Sequence, residues 1–241
     1  MRKLRRLPLS PATVAFLRDR TTRVRGASDP KLEAKKLWSA QQNRAFAEIR
    51  EILGRMASGL ERCMYCEDSE GTAIEHFWPK AIFPGKAFTW KNYLIACTRC
   101  NSNFKRDSFP RASDGNPLLI NPTEEDPFDF LNFSPTTGMY ESKLPKGASS
   151  IDVFGLNRPI LTKGRKDAWI SLEQLLVRYG SCKRSRDQTR ASAIEGVVQR
   201  SPFAGVMVAL LRVATSPAAT LLISADCLQT LREHPEIKRW V

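Results

Sequence analysis

Apolar residues recur at helical spacing towards both ends of the chain and break into short runs in the middle. Ser10-Pro11 sets a capping hydroxyl before a proline at the first helical position, so the spacing predicts a short helix to about residue 20. Asp29-Pro30 repeats that signal, and Leu32, Trp38, Ala45, Phe46, Ile49, Ile52, Leu53 and Met56 recur every few residues. One long amphipathic helix is predicted, ending near Gly59. Residues 72–77 have the branched and aromatic content of a strand that Pro79 stops, and the apolar run after Asn92 reads as a second. A brief helix starts near Asn101. Residues 109–146 are dense in Pro, Gly, Asp and Thr and predict irregular chain with two short strands. Helical spacing then returns over 150–156, 159 to about 179, 186–200, 202–214 and a last stretch from Ser224. The expected fold class is mainly α with a small α+β core. It divides into an N-terminal helical segment 1–59, a core 60–110, an irregular connection 111–149 and a C-terminal helical region 150–241.

Charge narrows the partners. The 241 residues carry a formal net charge of +13, which sets up a field attractive to polyanions, of which nucleic acid is the commonest. Lys31, Lys35, Lys36, Arg44, Arg50 and Arg55 line the polar side of the predicted long helix, either as a solvated face or as one that tracks phosphates. A second dense basic patch comprises Lys163, Arg165, Lys166, Arg178, Lys183, Arg184 and Arg186. The basic start is broken by prolines and arginines and lacks a small-residue cleavage site, so it does not read as a signal peptide. The longest apolar run, 203–211, is far short of the roughly 20 residues a membrane span needs. A soluble, cytoplasmic protein is expected.

Chemistry concentrates in residues 63–105, which hold four of the six cysteines and one of the two histidines. Cys63-Met-Tyr-Cys66 and Cys97-Thr-Arg-Cys100 are two Cys-x-x-Cys knuckles able to give four thiolates to one tetrahedral zinc, a structural site with no open position. Cys182 and Cys227 are expected to be buried packing residues. Pinning the knuckles together brings Glu75, His76, Asn92 and Asn101 into one small volume. Phosphodiester hydrolysis needs a base to deprotonate water and a cation for the charge developing on phosphate. His76 suits the first role. Glu75 and Asn101 are natural ligands for Mg²⁺ or Mn²⁺, and an Asn92 side chain or carbonyl accepting from one ring nitrogen of His76 would fix its tautomer.

The succession Cys63-Met-Tyr-Cys66-Glu67, Ile74-Glu75-His76-Phe77-Trp78-Pro79-Lys80, Trp90-Lys-Asn92 and Cys100-Asn101-Ser102-Asn103 resembles the HNH endonuclease superfamily. More narrowly it is similar to the PtuB-like nucleases of Septu-type and retron-associated anti-phage systems. Phe109-Pro110, Ile120-Asn121-Pro122-Thr123, Asp126-Pro127 and Gly155-Leu156-Asn157-Arg158 extend the likeness over roughly residues 60 to 170. It implies a zinc-stapled ββα-metal unit and a DNA-cleaving effector. His76 would be base, Asn92 orienting residue, and Glu75 and Asn101 the holders of the catalytic divalent ion. It also implies an ABC-like ATPase (PtuA-like) partner, with a reverse transcriptase and its msDNA in the retron setting. Two positions depart from the pattern. Trp78 replaces a basic residue, and Lys105 follows Asn101 by one residue more than the pattern has, which leaves Asn103 as an alternative third group at the ion. The chemistry leaves two rivals: an RNase, or a non-catalytic zinc-stapled nucleic-acid-binding adaptor.

Overall fold

The computed structural model describes residues 1–241. It is mainly helical with two small antiparallel sheets, joined by one continuous hydrophobic core. Helix α1 spans Pro11–Gly26, and the Ser10 hydroxyl accepts from the Thr13 amide. It runs past the residue 20 expected from sequence because Thr13, Leu17, Arg20 and Val24 form one buried stripe, with a basic residue in the middle.

The single long helix expected next is two, α2 at Pro30–Ser39 and α3 at Arg44–Met56. Asn43 makes the break. Its backbone is extended, its side-chain oxygen caps the Phe46 amide at 3.1 Å, and its amide nitrogen donates to the Ala40 carbonyl at 2.9 Å. Arg20 satisfies the open end of α2 by donating to the carbonyls of Leu37 and Ala40, with its guanidinium over the Phe16 ring. Trp38 and Ala45 stand seven residues apart, in helical phase across the polar Gln41-Gln42-Asn43, so periodicity alone does not register the bend.

Strands β1 (Ala73–His76) and β2 (Tyr93–Ala96) form an antiparallel pair with Glu75 opposite Leu94 and His76 opposite Tyr93. The Met64 amide donates to the Ile95 carbonyl at 3.0 Å and ties the first cysteine knuckle to β2. After the second knuckle, Arg99–Lys105 winds as a π-helix, closed by an Arg106 amide to Asn101 carbonyl bond at 2.7 Å.

The connecting stretch contains the second sheet, β3 (Leu131–Phe133) with β4 (Tyr140–Ser142). Helix α4 (Pro145–Val153) leads to the longest, α5 (Pro159–Arg184). Against α5 pack α6 (Gln188–Arg200), α7 (Ala204–Val213) and α9 (Ala225–Glu233), with the single turn α8 (Ala219–Leu222) between the last two. Cys182 and Cys227 are buried among them. His234, which reads as a surface residue in sequence, is half-buried against Tyr179, with Nδ1 3.3 Å from Glu236. No single helix is long and apolar enough to cross a membrane.

Candidate active site beside a four-thiol cluster

The Sγ atoms of Cys63, Cys66, Cys97 and Cys100 all lie within 4.8 Å of one another and are buried, with no disulfide among them. Zinc–thiolate bonds of about 2.3 Å at tetrahedral angles separate sulfurs by about 3.8 Å, and Cys66 and Cys97 stand 3.9 Å apart. Burial pushes the Cys63 thiol well up while the Cys100 sulfur draws the Cys66 thiol down. A single dication bound here would hold all four as thiolates. The donor set therefore fits zinc. The first knuckle is held to the helical region as well, because Glu67 accepts the Phe203 amide on its carbonyl and the Gly205 amide on its carboxylate, both at 2.9 Å.

Alternation along β1 sends Glu75 and His76 to opposite faces. The Nε2 of His76 is 2.9 Å from the Ala87 carbonyl. A carbonyl only accepts, so Nε2 carries the proton and Nδ1 keeps the lone pair. Asn92 makes no hydrogen bond to the imidazole, which corrects the expected contact. Its oxygen accepts from the Trp78 amide at 2.6 Å, and its nitrogen donates to the carbonyls of Trp78 and Lys86, both at 3.0 Å. It thus braces the loop whose next carbonyl, Ala87, aims the ring. Tyr93, opposite His76, donates its hydroxyl to that same carbonyl at 2.7 Å.

Helical spacing puts Trp38 on the apolar face of its helix but does not say what it covers. Its ring lies 4.2 Å from the His76 ring, centre to centre, and His76 is only 5% exposed. Burial lowers the imidazole pKa to about 3, with repulsion from Lys80 adding to it and the Ala87 bond opposing. An unfolded chain protonates this histidine near 6.5 while the folded one keeps it neutral, so the unfolded state holds more protons in between. Stability present above pH 6.5 is therefore lost as pH falls from there through about 3. An NMR titration of the His76 ring should show no midpoint between pH 5 and 8. Trp38→Ala, which admits water, should move the midpoint up by roughly one unit or more; an unchanged midpoint would show that Trp38 is not the shield.

On the other face, the Glu75 carboxylate is engaged by an ammonium. Lys105 Nζ, at the end of the π-helix, sits 2.6 Å from Glu75 Oε1 and donates to the His76 carbonyl at 2.9 Å, and both side chains are nearly inaccessible. Tyr65 Oη lies 3.5 Å from the same carboxylate oxygen. Burial raises the Glu75 pKa, and Lys105 pulls against it. Asn101 is half-buried on the first turn of the π-helix, and Asn103 is exposed. With its single carboxylate already neutralised, this arrangement does not fit a divalent ion unless Lys105 withdraws. Nothing local in the sequence identifies this pair, because the partners are thirty positions apart and meet only through the coil of the π-helix.

Phe77 is buried and Trp78 packs with Phe83 and Phe109, in keeping with a core role. Outside this core a cavity of about 420 Å³ lies between α2 and the loop after β1, lined by Asp29, Lys31, Leu32, Lys35, Lys80 and Ala81 among others. Of the lining residues, Lys80 has its Nζ 5.5 Å from the ring of Trp38, which packs on His76.

No family model matches the chain. It is 34% identical to "Septu protein PtuB" of Bacillus mycoides (strain KBAB4), over 53% of this chain and 54% of that protein. It is 30% identical to "Septu protein PtuB" of Bacillus thuringiensis, over 40% of this chain and 37% of that one. The matched part thus spans about half or less of the length of these curated relatives, and the chain is PtuB-like over that part.

Proposed function

We propose that the chain is the nuclease component of an anti-phage defence system, cleaving phosphodiester bonds of DNA with His76 as general base and working with an ATPase partner. The likeness to Septu proteins supports the defence role. The observation that carries the chemistry is the aimed imidazole: with Nε2–H spent on the Ala87 carbonyl, Nδ1 is the nitrogen able to take a proton from water. In this reading the β1–β2 pair and the π-helix are the ββα-metal unit, and the thiol cluster pins its two ends. A phosphate anion beside the ring would raise its basicity from the low value burial imposes. Lys31, Lys35 and Lys80, which line the cavity beside α2, supply positive charge for the backbone. A catalytic Mg²⁺ or Mn²⁺ on Glu75 and Asn101 belongs to this reading only if Lys105 moves aside.

The Glu75–Lys105 pair itself favours a second reading, a zinc-stapled nucleic-acid-binding adaptor without catalysis. One comparison separates them. The purified chain, alone and with its ATPase partner, is incubated with plasmid DNA and with tRNA in Mg²⁺ or Mn²⁺. Under the first reading the wild type cuts and His76→Ala does not, by a factor of 10² or more, while both bind nucleic acid with an affinity that falls steeply with salt. Binding without cutting under every condition would establish the adaptor, and cutting of tRNA alone would make the substrate RNA.

A further inference from the structure

The segment Gly155-Leu156-Asn157-Arg158, where the chain enters α5, has no role in the site so far described. It lies more than fifty residues from the second cysteine knuckle in sequence and touches it directly. Arg158 Nη1 is 3.5 Å from Cys100 Sγ, and Nη2 is 3.6 Å from the same sulfur. Nη1 also donates to the carbonyls of Phe154 at 3.3 Å and Gly155 at 3.1 Å, and the guanidinium stands 5.4 Å from the Phe104 ring. Each neighbour fixes this arginine in place. Gly155 has a φ of +58°, and a Cβ there would fall 2.3 Å from the Phe104 ring, so only glycine lets the π-helix lie against the start of α5. Asn157 brackets Tyr140, accepting its amide at 2.9 Å and donating to its carbonyl at 2.7 Å, which locks the segment onto β4.

We propose that Arg158 is an outer-sphere part of the metal centre, a positioning residue whose two N–H groups hold the Cys100 thiolate and offset the negative charge of the thiolate–metal unit. The inference rests on the four thiolates holding zinc. Four thiolates around Zn²⁺ leave two net negative charges in a buried pocket, where an unopposed charge is costly. A guanidinium hydrogen-bonded to one sulfur supplies the compensation, as groups behind a ligand commonly do. The sulfur it holds belongs to the residue immediately before Asn101, so the same contact anchors the first turn of the π-helix bearing Asn101 and Lys105. The C-terminal helical region therefore completes the metal centre.

The full-length protein loaded with zinc, and separately with Co²⁺, tests this through Arg158→Met and Arg158→Lys. Zinc release to an excess of a chromogenic chelator should be about tenfold or more faster in Arg158→Met. The sulfur-to-cobalt charge-transfer band should move to lower energy as the sulfur loses its donors, with Arg158→Lys intermediate in both. Phe104→Leu, which removes the ring beside the guanidinium and leaves the N–H donors, should keep the wild-type spectrum. If Arg158→Met fails to fold, Arg158→Lys decides. Unchanged release and spectrum in variants that bind the metal would overturn the role of Arg158 and leave the zinc site standing. A wild-type protein that takes up neither metal at these sulfurs would overturn both.

Discussion

The Cys63–Cys66–Cys97–Cys100 cluster can hold one metal ion, and removing it, by chelation or by Cys97→Ser, should unfold residues 63–105 and with them the contacts of the flanking helices. The strands of this region have four residues each, and an isolated pair of that size is marginal in water. What holds it is closure at both ends: the first knuckle donates to the Ile95 carbonyl, and the second continues directly into the π-helix. In small zinc-folded units the metal contributes on the order of 10 kcal/mol or more, so its loss exceeds the stability of the whole region. The check is one zinc per chain by elemental analysis, falling to none as near-UV circular dichroism collapses. Retention of a cooperative thermal transition in the metal-free protein would show that packing alone suffices.

Lys105→Met should destabilise the protein by roughly 3–5 kcal/mol, the usual cost of leaving one partner of a buried ion pair alone. The methionine fills the stem of the lysine but removes the charge facing Glu75, whose pKa burial already raises. Glu75 then takes up a proton on folding, so the deficit should grow as pH rises above the ordinary carboxylate range and shrink below it. Adding Glu75→Gln should recover much of the loss, because an uncharged amide in contact with methionine no longer buries an unpaired charge. Chemical denaturation of the two single variants and the double variant at pH 5 and pH 8 measures the coupling. A coupling near zero would mean that Lys105 is bound by the His76 carbonyl and not by the carboxylate.

Local information specified what lies near in sequence. The caps at Ser10 and Asp29 start α1 and α2, each Cys-x-x-Cys forms a tight knuckle, and alternation along 73–76 divides Glu75 from His76 between two faces. The Asn43 break leaves no mark on the apolar pattern, since it exchanges one helical apolar stripe for another of the same period. The order of Glu75, His76, Asn92 and Asn101 was visible as a succession of side chains with complementary chemistry. Their actual hydrogen bonds were not, because each involves a carbonyl or cation brought in by the path of the chain.

What the sequence determined by itself is a basic, largely helical chain with four cysteines in two knuckles able to hold one metal and a histidine between them. Only the tertiary structure decided that Lys105 occupies the Glu75 carboxylate, that Ala87 rather than Asn92 aims the imidazole, that Trp38 covers it, and that Arg158 reaches Cys100. The physical reason is distance along the chain. Propensity and spacing act over a few residues, whereas burial, which sets the proton affinities of His76 and Glu75, depends on which remote elements the core brings to their sides.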